Sequence, residues 1–337
     1  MGSSPDESMM NSGDFGTLED ENDREEFINK LLTLPSRNDW NFPEPLYQYQ
    51  GFWNFSPYII GLMLAQKRFQ AQPNDIILCS HPKTGPTWLK ALAFANVTRS
   101  QYDDSTSPLL TKSPHDVVPF IELDAAQGVD NRDLKVPLAA THGPFNSLPT
   151  SFRTLGCKIV YICRDPKDAF MSLWHFMTKQ IWFPLLSITF EDAFEMFCEG
   201  VLVHGPYWEH VLEYWRASLE SPEMVLFFKY EDLKTNTSFH VKRLADFMGF
   251  AFTPEEEKQG AVDKIIELCS LETLSSLEVN RNGKQRENSM FECRNGLFFR
   301  KGKVGDWKSA MTPEMGARLD RIVELKLSGS GLTLSAN

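Results

Sequence analysis

The sequence predicts an α/β protein: a single domain with a central, mostly parallel sheet flanked by helices. Three observations carry this. Four short apolar runs, DIILCS (75–80), VPLAAT (136–141), CKIVYIC (157–163) and EMVLFF (223–228), each end in polar residues. Runs of that length between polar and turn residues suit strands buried on both faces. Helical or turn patterns separate them, the alternation of a sheet covered on both sides. No internal repeat or linker divides the 337 residues, a length that buries a sizeable core.

In chain order, residues 1–24 are polar and acidic and read as a disordered tail. From Glu25 the spacing of Phe27, Ile28, Leu31 and Leu32 predicts a short amphipathic helix ended near Pro35, opening a domain over 25–337. The aromatic, turn-rich segment 41–61 reads either as packed surface or as one wall of an apolar pocket. TWLKALAFANV after the first run, DAFMSLWHFMTK after the third and TSFHVKRLADFMGF after the fourth read as helices. Near the end, Thr312 can cap a helix with Pro313 at its first position.

Composition narrows function. A net charge of −11 argues against general nucleic-acid binding, so an anionic ligand needs a local basic cluster. No apolar run approaches a membrane span and the first residues lack a signal pattern, so a cytoplasmic protein is expected. The six cysteines include no CxxC pair, and reduced, buried thiols are expected in place of disulfides or a metal site.

Ligands of such sheets bind beyond the carboxyl ends of the strands. Lys83, His142, Arg164 and Tyr230 fall at or just past those ends, and the topology gathers them on one rim. The first run leads through a loop with lysine, glycine and threonine into a helix, a recipe for holding phosphate with small residues and a helix N-terminus. It is not the ATP-binding P-loop, because Lys83 precedes Gly85.

PKTGPTW, 82–88, resembles the PKxGTTW loop of the cytosolic sulfotransferases, which use 3'-phosphoadenosine 5'-phosphosulfate (PAPS). KSPHDVVPFIE, THGPFNSLP, YICRDPKDAFMSLWHF, GPYWEHVLEYW, VLFFKYEDLK, LCSLETLSSLEVN and FFRKGKVGDW resemble further family blocks in family order, in wording nearest the plant members. The resemblance runs from about Pro35 to the C-terminus. It implies that Lys83 holds the leaving-group end of the phosphosulfate, with Thr84, Gly85, Pro86 and Thr87 around the 5'-phosphate and Trp88 stacked on adenine. It assigns Arg164 and Ser172 to the 3'-phosphate, helped by Arg300, Lys301 and Gly302, and Tyr230 to the adenine. His142 would be the general base, a role suited to an imidazole. Phe120, Phe145 and Phe176 would line an apolar acceptor pocket, with TKQIWFPLLSITF (178–190) as part of a lid. The implied acceptor is a small hydroxylated molecule: flavonoid, phenolic, steroid-like or hormone-like. No metal, nucleic acid or membrane partner is implied.

Three departures matter. Pro86 stands where the family has threonine, removing a hydroxyl and a backbone donor near the phosphate. Leu271 stands where phenylalanine often meets the adenine. KSAMTPEMGA (308–317) only half matches the family's dimer motif, so that dimer is not expected and a monomer is favoured. The alternative to an active enzyme is a binding protein of the same fold, impaired by Pro86. A nucleotide kinase or ATPase is not expected, because this sequence reverses the Lys and Gly order of the ATP loop and has no matching acidic metal-binding motif.

Overall fold

The computed structural model describes residues 21–40, 42, 44–133, 135–180, 188–289 and 291–334. Three antiparallel strands come first: β1 (Ser36–Arg37), β2 (Leu46–Tyr49) and β3 (Phe52–Asn54). The central sheet follows, built from β4 (Ile76–Ser80), β5 (Leu138–Thr141), β6 (Lys158–Cys163) and β7 (Val225–Lys229). They pair in the order β5-β4-β6-β7, every neighbour parallel. Near the C-terminus, β8 (Lys284–Gln285) pairs with β9 (Cys293–Arg294). All four predicted runs are strands of the one central sheet.

Alternation along these strands sorts their side chains into two cores. Ile77, Cys79, Ala139, Ile159, Tyr161 and Phe227 point into the first, with helices Pro166–Met177, Tyr207–Glu220 and Pro313–Leu327 against them. Ile76, Leu78, Leu138, Val160, Ile162 and Phe228 point into the second, under helices Pro86–Thr98, Thr237–Phe247 and Ala261–Leu268. Both faces are therefore sealed, which is why the strands read as continuous apolar runs. The expected helices form where the patterns place them, and the Thr312 hydroxyl accepts from Met315 N–H to cap the last one. All six cysteines are free thiols, Cys293 being the one that is not buried.

The predicted tail is corrected at its boundary; residues 1–20 lie outside the described residues. The first helix runs Glu21–Leu32, four positions earlier than the apolar spacing suggests. Asp23 is the reason: its buried carboxylate pairs with Lys67 at 2.6 Å and with Arg68, both on helix Ser56–Arg68. An acidic residue that looks solvated in sequence is bound to a later helix.

Helix Ser56–Arg68 also crosses Ile121–Gln127 closely, and Gly61 permits it. A Cβ at Gly61 would lie 2.0 Å from the Glu122 carbonyl oxygen. Gly→Ala inside a helix ordinarily stabilises by about 1 kcal/mol; Gly61→Ala is expected to destabilise by about 1–3 kcal/mol, because overpacking wins. A lower unfolding midpoint in denaturant checks this, and an unchanged or raised midpoint contradicts it.

Candidate active site

The chain leaves β4 at its carboxyl end, turns through 81–85 and enters helix Pro86–Thr98. Gly85 caps that helix at φ +114°, a left-handed value that L side chains rarely adopt, and a Cβ there would sit 2.9 Å from the Tyr230 ring. Pro86 is the first helical residue, where its fixed φ suits the helix and its missing N–H interrupts no helical bond. The first intrahelical bond runs from Leu89 N–H to Gly85 O at 3.0 Å, so Thr87 and Trp88 present their N–H groups at the helix mouth. The loop thus holds its turn with proline in place.

Lys83, itself at φ +68°, lays its ammonium 4.0 Å from the Phe176 ring centroid and 5.3 Å from that of Phe298. Burial brings its pKa down to about 7, with Cys293 opposing and the like charges of Arg300 and Arg164 assisting. The proton on this lysine is consequently easy to lose.

His142, just past β5, is fixed at three atoms. Its N–H donates to Glu122 Oε1 (2.7 Å), its carbonyl accepts from His210 Nε2 (3.0 Å), and its Nδ1 lies 2.7 Å from Ser80 O. A carbonyl only accepts, so Nδ1 carries the proton and Nε2 keeps its lone pair. Burial lowers the pKa to about 3 against the opposing Ser80 carbonyl, so the ring is neutral near pH 7.

Arg164, past β6, donates from Nη2 to Lys303 O (2.6 Å) and Asp168 (3.2 Å), and its guanidinium lies 4.7 Å from the Tyr230 ring centroid. Asp168 also accepts from Gly305 N–H (2.8 Å) and Trp307 N–H (3.0 Å), pinning the late basic loop to helix Pro166–Met177. Arg300 in that loop pairs with Asp306. The buried Nε atoms of Arg164 and Arg300 have no hydrogen-bond partner among the described residues, two donors left unsatisfied. Gly302, at φ +58°, leaves the space a Cβ would take against Leu271 (2.9 Å).

One cavity of about 1200 Å³ joins these groups. Lys83, Gly85, Pro86, Thr87, Trp88, Arg164, Ser172, Tyr230, Arg300 and Gly302 line it, and so do His142, Phe120 and Phe176. Three expected residues do not. Thr84 is fully buried, its Oγ1 2.8 Å from His81 O and 2.9 Å from Ile162 O, so its hydroxyl ties the loop to β6. Lys301 is exposed and pairs with Asp306 at 2.7 Å. Phe145 packs edge-on to Tyr214 (5.5 Å), because Tyr214 donates to Gly143 O (2.7 Å) and draws that turn toward the first core. Of the expected lid, residues 181–187 lie outside the described residues.

Other residues at the site were missed. His115 Nε2 lies 3.0 Å from Thr87 Oγ1, and its ring stacks on Phe120 at 5.7 Å. His204 lies 5.3 Å from the His142 ring and 4.8 Å from that of Tyr58. Glu122 holds the His142 main chain. The block KSPHDVVPFIE contained two of these, yet nothing in it says which side chains turn inward. The segment 41–61 satisfies both of its readings: Tyr47 and Tyr49 pack into a core while Phe42, Phe55 and Tyr58 wall the cavity.

Comparison with known proteins accords with this geometry. Residues 73–331 match the sulfotransferase domain family. The chain is 48% identical to cytosolic sulfotransferase 16 of Arabidopsis thaliana over 305 residues, 90% of each chain. It is 50% identical to flavonol 3-sulfotransferase of Flaveria bidentis over 86% of this chain and 93% of that one. A solved sulphotransferase structure from Arabidopsis thaliana superposes with a TM-score of 0.70 at 37% identity, covering 91% of this chain and 94% of that one. Mouse sulfotransferase SULT7A1, solved with PAP, gives 0.64 at 25% identity over 85% and 95%. The chain belongs to the sulfotransferase family, among its plant cytosolic members.

Proposed function

We propose that this enzyme sulfates a hydroxyl of a small organic acceptor, with His142 as general base and Lys83 at the leaving group. The observation that carries the reading is the His142 ring: Nδ1 donates to Ser80 O, leaving an unprotonated Nε2 in the cavity that also holds Lys83. PAPS supplies a sulfuryl group already activated by its phosphate anhydride. The cavity fits such a donor, since Arg164 and Arg300 each have an unsatisfied buried N–H and Gly85 and Gly302 keep side chains out of the floor. Thr87, Trp88 and Lys83 would hold the 5' end, Arg164, Ser172 and Arg300 the 3'-phosphate, and Trp88 with Tyr230 the adenine.

The residues divide the work. His142 takes the acceptor's proton at Nε2, and Lys83 neutralises charge on the departing phosphate. Phe120, 4.5 Å from the His142 ring, and Phe176 help exclude water from the acceptor side. Pro86 at the first helical position supports turnover over the binding-only reading, because the helix mouth keeps its remaining donors.

His142→Asn is expected to lower kcat by about 10²–10⁴-fold while leaving the affinity for PAP unchanged; near-normal turnover in that variant would falsify the base assignment. Pro86→Thr restores a donor and is expected to bind PAP about tenfold more tightly, an effect that calorimetry reads directly. Equal affinities would mean that position 86 faces no phosphate oxygen.

The pKa of Lys83 gives a pH dependence. Below about 7 the lysine is already charged in the free protein; above it the group is largely neutral. An anion favours the ammonium, so binding at pH 8 takes up a proton and affinity falls as pH rises through 7. Calorimetry of PAP in buffers of different ionisation heat is expected to show about one proton more taken up by wild type than by Lys83→Arg, whose side chain is always charged. Equal uptake would place the titration elsewhere.

A further inference from the structure

Only two acidic side chains, Glu44 and Glu292, line the cavity among the described residues. Glu292 is matched by Lys284 at 2.9 Å. Glu44 has no such cation among the described residues. Its Oε2 accepts from the Ser56 hydroxyl at 2.6 Å, and no described lysine or arginine pairs with it.

The surroundings leave this carboxylate open to a donor carried by a ligand. Glu44 lines the same wall as Phe42, Phe55 and Tyr58. Burial pushes its pKa up, while Ser56, through its hydroxyl and main chain, favours the charged form. Ser56 begins helix Ser56–Arg68, whose N-terminus also suits an anion. A carboxylate has about four acceptor positions, and Ser56 does not fill them. A ligand lying against this wall gains by bringing a donor.

The wall starts at the reacting centre. The His142 ring lies 5.3 Å from that of His204, and His204 lies 4.8 Å from that of Tyr58, two residues past Ser56. An acceptor with one hydroxyl at His142 and its body along these rings points its far edge toward Glu44. The donor it carries is more favourably a neutral hydroxyl than an ammonium, because Lys83 and Lys179 line the same cavity without acidic partners among the described residues and repel a cation.

We infer that Glu44 receives a second hydroxyl of the acceptor, remote from the one that reacts, and so selects di- and polyhydroxylated aromatic acceptors over monohydroxylated ones. The inference rests on the sulfuryl-transfer reading of the cavity and makes Glu44 a specificity-determining residue.

The test uses 3-hydroxyflavone and 3,4'-dihydroxyflavone, each titrated into the PAP-saturated full chain, with initial rates from PAPS measured alongside. Wild type is expected to bind the diol about tenfold more tightly, as a hydrogen bond to a charged group allows. Glu44→Leu is expected to abolish that preference while leaving PAP affinity intact, and Ser56→Ala to retain it, since the carboxylate survives. Equal binding of the two flavones by wild type, or a preference that survives in Glu44→Leu, overturns the inference. So does tighter binding of a 4'-aminomethyl analogue than of the diol, which would make the position a cation site. Diol preference without any sulfuryl transfer would instead count against the reaction, leaving the role of Glu44 standing.

Discussion

The site depends on one topological constraint: the chain lays down β4 first, adds β5 on one side, and then crosses to add β6 on the other. The parallel order β5-β4-β6-β7 releases every strand at the same edge, and the reversal around β4 opens a crevice there. Lys83, His142, Arg164 and Tyr230 are each the first or nearly the first residues past a strand, so the register delivers them together. The bond from His142 Nδ1 to Ser80 O, 2.7 Å long, then ties the end of β5 to the end of β4 and fixes the ring's tautomer. Fold and chemistry meet in that contact.

Electrostatics explains how an acidic protein can serve an anionic donor. The net charge is −11, yet Lys83, Arg164 and Arg300 share one cavity. Asp168 and Asp306 each hold one of those guanidiniums in place, and neither closes off its Nε. Lys83 has no carboxylate partner among the described residues, so burial, opposed by Cys293, dominates its titration. The cavity is therefore preorganised for negative charge and relieved by binding it.

Much of this was legible in the sequence. Strands sealed on both faces are apolar throughout, so four runs identified the sheet, and polar residues after each run identified the rim. Helix ends were legible where local rules apply, as at Thr312. What remained hidden depends on partners far away in sequence. Thr84 turns its hydroxyl toward Ile162 O, Phe145 follows a turn held by Tyr214, and Asp23 joins the first helix through Lys67 and Arg68. Lys301 shows the same limit at short range, since its loop closes on Asp306 and carries the side chain outward. Residue type marks a candidate; the direction of a side chain is set by tertiary contacts.

The account's central claim is that His142 stands ready as a base with its Nε2 bare. Correlating ring nitrogens with ring protons in histidine-labelled protein at neutral pH, with His142→Asn to assign the signal, tests this most directly. A neutral ring protonated at Nδ1 is predicted. A ring protonated at Nε2, or at both nitrogens, would contradict the account, because no lone pair would then face the acceptor.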